Sequence, residues 1–138
     1  MKYSFMSFSC PELTLDEMLA MAKEFGYDGI EPRISSNHQH GVEFDTNQHQ
    51  RKEIKQKALD IGIDIGCVAT SCRYADPKIS QDMVNDTEKA VDLAADIGSS
   101  RIRVFGGKIG DGLDRTDAVE LVAESLLSIA NRSEERRV

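Results

Sequence analysis

The chain has 138 residues, 40% of them apolar and 30% charged, with a formal net charge of −7. That is one domain's length with a real core; no run nears the ~20 apolar residues of a membrane span, and MKYSFMSFSCP carries no secretory signal. The acidic balance weighs against nucleic acid, whose phosphates are met by basic surfaces, and three cysteines without a disulfide framework fit a reducing, cytoplasmic setting.

In chain order, a first strand is expected over Lys2–Phe8. Thr14 and Glu17 then form a capping box, and Leu15, Met18, Leu19, Ala22 and Phe25 repeat at the spacing of one buried helical face. A second strand over Asp28–Arg33 precedes a helix from about Thr46 to Ile61, with Ile54, Ala58 and Ile61 inward. A third strand, Ile63–Thr70, precedes a helix following Ser80, with Met83, Thr87, Ala90, Ala94 and Ile97 on one stripe. The fourth strand, Arg101–Gly106, precedes a helix near Thr116 that should bury Val119, Val122, Leu126 and Ile129.

Gly26, Gly62 and Gly98 follow the first three helices at intervals of 36 residues. Glycine suits a helix C-terminus because the residue there often takes positive φ, and a period of this size holds one strand, one helix and two connections. No Asn-Gly or Asp-Gly turn joins two strands. The expected fold is therefore α/β: parallel strands with right-handed helical crossovers, four (β/α) units forming about half of a barrel. The whole chain, 1–138, reads as one partial domain that stops where a fifth strand would begin, the alternative being a complete small open sheet. Its two outer strands would keep unpaired edges, through which a homodimer is possible.

In parallel sheets ligands gather at the carboxyl ends of the strands. Four segments fall there: Ser7-Phe8-Ser9-Cys10-Pro11, Glu31-Pro32-Arg33 with a polar loop holding Asn37, His38 and His40, Thr70-Ser71-Cys72-Arg73-Tyr74, and Gly106-Gly107-Lys108. Glu31 and Arg33 share a strand face; they could bind a polyol or sugar acid, Arg being suited to carboxylate and phosphate, or serve in ion pairs. His38 and His40 lack further ligands at zinc-site spacing, so exposure or a substrate contact competes with metal binding. Cys67 is a small buried hydrophobe, and Cys72 beside Arg73 lacks a conspicuous base. Gly106-Gly107-Lys108 is either a turn or an anion contact; it is not a P-loop. These residues compose no catalytic set and no metal site by themselves.

The segments GYDGIEPR, CVATSCRYADP and DIGSSRIRVFGGKI, in this order and spacing, resemble the sugar phosphate isomerase/epimerase family of the xylose isomerase-like TIM barrels, over the first half of such a barrel. The resemblance implies a closed eight-stranded barrel that acts on a small sugar or sugar phosphate. It implies a divalent cation (Mn, Mg, Co or Zn) held by residues of later strands, so that the full-length parent would be the enzyme and this chain alone inactive and metal-free. It places Glu31, Arg33, Ser71, Arg73 and Lys108 at substrate-side positions and matches His38 and His40 to a polar loop without an assigned role. In the endonuclease branch of the superfamily, histidine ligands are expected where this chain has Ser71 and Gly106-Gly107. An apurinic endonuclease-like phosphodiesterase and a non-catalytic half-barrel module are the alternatives.

Overall fold

Capping side chains set where three of the four described helices begin. The computed structural model describes residues 1–136. In α1 (Leu15–Glu24) the Thr14 side chain accepts the Glu17 N–H while the Glu17 carboxylate accepts the Thr14 N–H at 2.8 Å, the capping box expected from the sequence. Asn47 and Gln50 make the same reciprocal pair at the start of α2 (Gln48–Ile61), so this helix begins later than Thr46. α3 spans Ser80–Ile97, and α4 spans Arg115–Glu135, with Asp114 accepting the N–H groups of Thr116 and Asp117. Gly26, Gly62 and Gly98 close the first three helices at φ 72°, 74° and 88°, a region where a side chain is costly.

The strands are short: β1 (Ser4–Met6), β2 (Gly29–Glu31), β3 (Asp64–Ile65), β4 (Val68–Arg73) and β5 (Ile102–Phe105). β1 ends early because Ser7–Ser9 winds into a 3-10 turn. The expected third strand is divided into β3 and β4. Gly66 donates to the Ile30 carbonyl, whereas the next bond to this neighbour comes from Ala69 to Pro32. Three residues thus advance against two, a bulge, beside a proline with no N–H to continue the ladder. Every pairing is parallel: β1 with β2, β2 with β3, β4 with β5, and Arg33 bridged to Ala69. The order is therefore β1, β2, β3/β4, β5, four strand positions in one direction. Among the described residues the sheet does not close into a barrel.

One face of the sheet is covered by helices. Met18, Leu19, Ala22, Ile30, Ile65, Val68, Leu93 and Ile97 lie in a core shared by α1, α2, α3 and the strands. A smaller cluster joins Cys72, Tyr74, Val84, Val91 and Ile129. The fourth helix departs from expectation here: Ile129 is buried and Val122 packs at the edge of the cluster, but Val119 and Leu126 are exposed. No element among the described residues lies against that side of α4.

Candidate functional site

At the carboxyl ends of the strands, Arg33 collects residues from three units. Its backbone N–H donates to the Ser7 hydroxyl at 2.9 Å, tying the end of β2 to the turn after β1. Its guanidinium donates to the Thr70 carbonyl and the Ser71 hydroxyl on β4, and Nε donates to Ser36 at 3.1 Å. The Phe8 ring lies 5.5 Å from its central carbon, a cation–π contact. Burial lowers its pKa, but guanidinium titrates so far above neutrality that it stays charged. Among the described residues no carboxylate stands at salt-bridge distance from it. A half-buried cation is thus held at the strand ends by neutral acceptors alone.

Ser7 is fully buried, and its hydroxyl also meets His38 Nδ1 at 2.8 Å. The bonding is satisfied when Ser7, already accepting from Arg33, donates to Nδ1 and leaves the proton of a neutral His38 on Nε2. His38 packs edge-on against Phe8 and His40, with centroids 5.2 and 5.7 Å apart. His40 is another matter. It is buried, Nε2 donates to the Arg33 carbonyl at 3.1 Å, and Nδ1 accepts the Val42 N–H at 3.0 Å. Both ring nitrogens serve the chain's own backbone, and burial lowers its pKa, favouring the neutral form. The structure thus places His40 behind the loop as its support, whereas the sequence grouped it with the substrate contacts.

Glu31 shares Arg33's face but not its partners. Its carboxylate accepts from Ser4 at 2.5 Å and from Arg103 on β5 at 2.6 Å, on the sheet face away from the helices. Of the two readings open for Glu31 and Arg33, Glu31 takes the cross-strand ion pair and Arg33 is left without one. Arg73 and Lys108 are exposed at the strand ends, and among the described residues no hydrogen bond or ion pair engages either side chain. Gly107 beside Arg73 has φ 94°, and a Cβ there would stand 2.8 Å from Arg73 Cβ, so this turn requires glycine.

Ser7, Phe8, Ser36 and Arg103 were not singled out from the sequence. Ser7 and Phe8 had a signal, since they sit in the segment after the first strand, and an arginine alternating with Ile102 and Val104 marks the sheet face opposite the core. Among the described residues no three His, Cys, Asp or Glu side chains are grouped as a metal ion requires. A divalent cation does not fit these residues, and no step is routed through one.

Parallel strands, outer helices and polar residues gathered at the strand ends define a (β/α)-barrel architecture. The chain belongs to the xylose isomerase-like TIM barrel family, whose model matches residues 19–138. No curated protein matches the sequence. Among solved structures, the chain is similar to a D-psicose 3-epimerase crystallised in the presence of D-fructose, at 13% identity and TM-score 0.77, over 99% of this chain and 50% of that one. It is similar to the 3-keto-D-glucoside 4-epimerase YcjR from E. coli, at 13% identity and TM-score 0.76, over 99% and 53%. IolI, with a bound zinc atom, aligns at 12% identity and TM-score 0.79, over 99% and 49%. At such identities the likeness shows the fold, and the chain spans about half the length of these proteins.

Proposed function

We propose that the strand ends of this chain form one half of the mouth of a sugar or sugar-phosphate isomerase/epimerase barrel, and that their task is to hold the substrate. The observation that supports it most is Arg33, a charged guanidinium without a carboxylate partner among the described residues, braced by Ser7, Ser71 and Thr70. Such a group suits a phosphate, a sugar carboxylate or the electron-rich edge of a polyol. His38 Nε2–H and the Ser71 hydroxyl offer directional contacts beside it, and Arg73 and Lys108 add positive charge at the rim. Sugar epimerases of the same fold are in keeping with this reading.

Isomerisation of this type moves a proton next to a carbonyl, and a divalent cation would stabilise the charge that develops. This reading assigns the cation and the acid–base groups to the other half of the barrel, so the chain alone is expected to bind without turnover. Calorimetric titration with ketohexoses, ketohexose phosphates and inorganic phosphate in separate arms tests it. Arg33→Met should weaken binding by at least ~10-fold, as loss of a charge-assisted hydrogen bond implies, and Lys108→Met by less. Binding indifferent to Arg33→Met would refute the site; turnover by the chain alone would refute the division of labour.

A further inference from the structure

The polar groups around Arg33 use their acceptors on one another. Ser7, fully buried, accepts the Arg33 N–H at 2.9 Å and gives its own proton to His38 Nδ1 at 2.8 Å. Ser36 accepts from Arg33 Nε at 3.1 Å, and the Thr70 carbonyl and Ser71 hydroxyl accept from its two terminal nitrogens. His40 has both ring nitrogens on backbone atoms. The carboxylate of Glu31, two residues before Arg33, is held by Ser4 and Arg103.

These bonds leave a set of donors. A guanidinium has five N–H groups; here Nε and one N–H of each terminal nitrogen are engaged, so each terminal nitrogen keeps one more. His38 keeps Nε2–H, since Ser7 donates to Nδ1 and nothing among the described residues engages the other nitrogen. Ser71 accepts from Arg33 and retains its own O–H. Arg73 and Lys108, exposed at the neighbouring strand ends, can only donate. Arg33 is the half-buried member of the three cations, so water weakens its pull on an anion least.

A sugar hydroxyl brings a proton as well as lone pairs and needs an acceptor in return. A phosphate or carboxylate oxygen brings lone pairs alone, and its charge matches the guanidinium. We infer that Arg33, His38 and Ser71 form an oxyanion seat, which takes the phosphate or carboxylate of a charged sugar and not the hydroxyl edge of a neutral ketose. The inference rests on Arg33 as a substrate contact and adds which part of the substrate it meets. Ser7 is the positioning residue of this seat. Without its hydroxyl, His38 could carry the proton on Nδ1 and turn a lone pair toward the ligand, which would repel an oxyanion.

Titration of the 138-residue chain with a ketohexose phosphate, a hexonate, inorganic sulfate and the neutral ketohexose gives the first measurement. At least one of the two charged sugars should bind ~10-fold or more tightly than the ketohexose, with sulfate competing, as a charge-assisted contact implies; which of the two does so separates phosphate from carboxylate. Ser71→Asp, which sets a carboxylate against Arg33, should weaken these anions by ~10-fold while circular dichroism matches the parent. Nitrogen-15 spectra need no variant: His38 in the unliganded chain should carry its proton on Nε2, and sulfate should shift that signal. Ser7→Ala should populate both tautomers. A proton on Nδ1 in the parent, an Nε2 signal indifferent to sulfate, or anion binding unchanged in Ser71→Asp would each overturn the seat, and an unchanged tautomer in Ser7→Ala would remove the role of Ser7. A ketohexose that binds as tightly as the charged sugars, and loses affinity in Arg33→Met, would sink the oxyanion seat but keep the mouth. Binding indifferent to Arg33→Met would remove the mouth itself.

Discussion

The sheet-facing stripes of α1 and α2 differ from the last unit, β5 with α4, in how far apolar pattern is converted into burial, although Phe25, expected on the buried face of the first helix, lies just past its end and is 69% exposed. Met18, Leu19, Ala22 and Ile30 are enclosed, and the loop after β2 folds back so that His40 bonds to the backbone inside it. In the last unit Phe105, Val119, Leu126 and Leu127 are exposed although α4 is the longest helix. Sequence alone marks both regions as apolar, but burial depends on a neighbour on the correct side. An amphipathic stripe is a demand for a partner, and in α4 one such demand is unmet.

The comparison breaks most readily at the core. Leu19→Ala in α1 should cost about 2–5 kcal/mol, as expected for a large side chain removed from an enclosed site. Leu126→Ala, at a side chain 45% exposed, should cost below ~1 kcal/mol in dilute solution. Urea unfolding of both variants checks this, and equal losses would mean that α4 is already covered. Next in size comes Gly107→Ala in the loop after β5. The positive φ and the contact with Arg73 should cost about 1–3 kcal/mol, seen in the same unfolding curves.

His40 sharpens the comparison through pH. Its folded pKa lies below the ordinary imidazole value because of burial. Once pH falls below about 6.5, the unfolded chain takes up a proton that the folded chain refuses, so stability is lost as the solution is acidified. His40→Gln, which keeps a donor and an acceptor, should flatten the fall in melting temperature between pH 7 and pH 5. An unchanged slope would show that the carboxylates alone produce it.

Helix starts and the glycine stops were legible because each depends on residues a few positions apart, and the parallel order because a helix-length connection separates successive strand positions. The capping pair Thr14 and Glu17 and the glycines at 36-residue spacing needed no tertiary information. Glu31 and Arg33 could be placed on one face by strand alternation, but their different fates turned on Arg103, which lies 72 residues beyond Glu31. His40 could not be separated from His38 for a similar reason: its partners are backbone atoms whose position depends on the path of the loop. The divided third strand was hidden because a bulge depends on pairing, although Pro32 and Gly66 were both in view.

The smallest effect bears on both regions at once, because Glu31 sits on β2 and Arg103 on β5. In the isolated chain Arg103 is 40% exposed, so solvent screens the pair. A double-mutant cycle with Glu31→Gln and Arg103→Met should then give a coupling of about 0–1 kcal/mol. Enclosure of the same face would change the terms. Removing one partner would leave the other charge out of water, and the single substitutions would become costly by ~3 kcal/mol or more. Repeating the cycle in dilute and in concentrated solution therefore reports whether this face is open or covered. A coupling that stays small at every concentration would mean that nothing closes over Glu31 and Arg103 in solution.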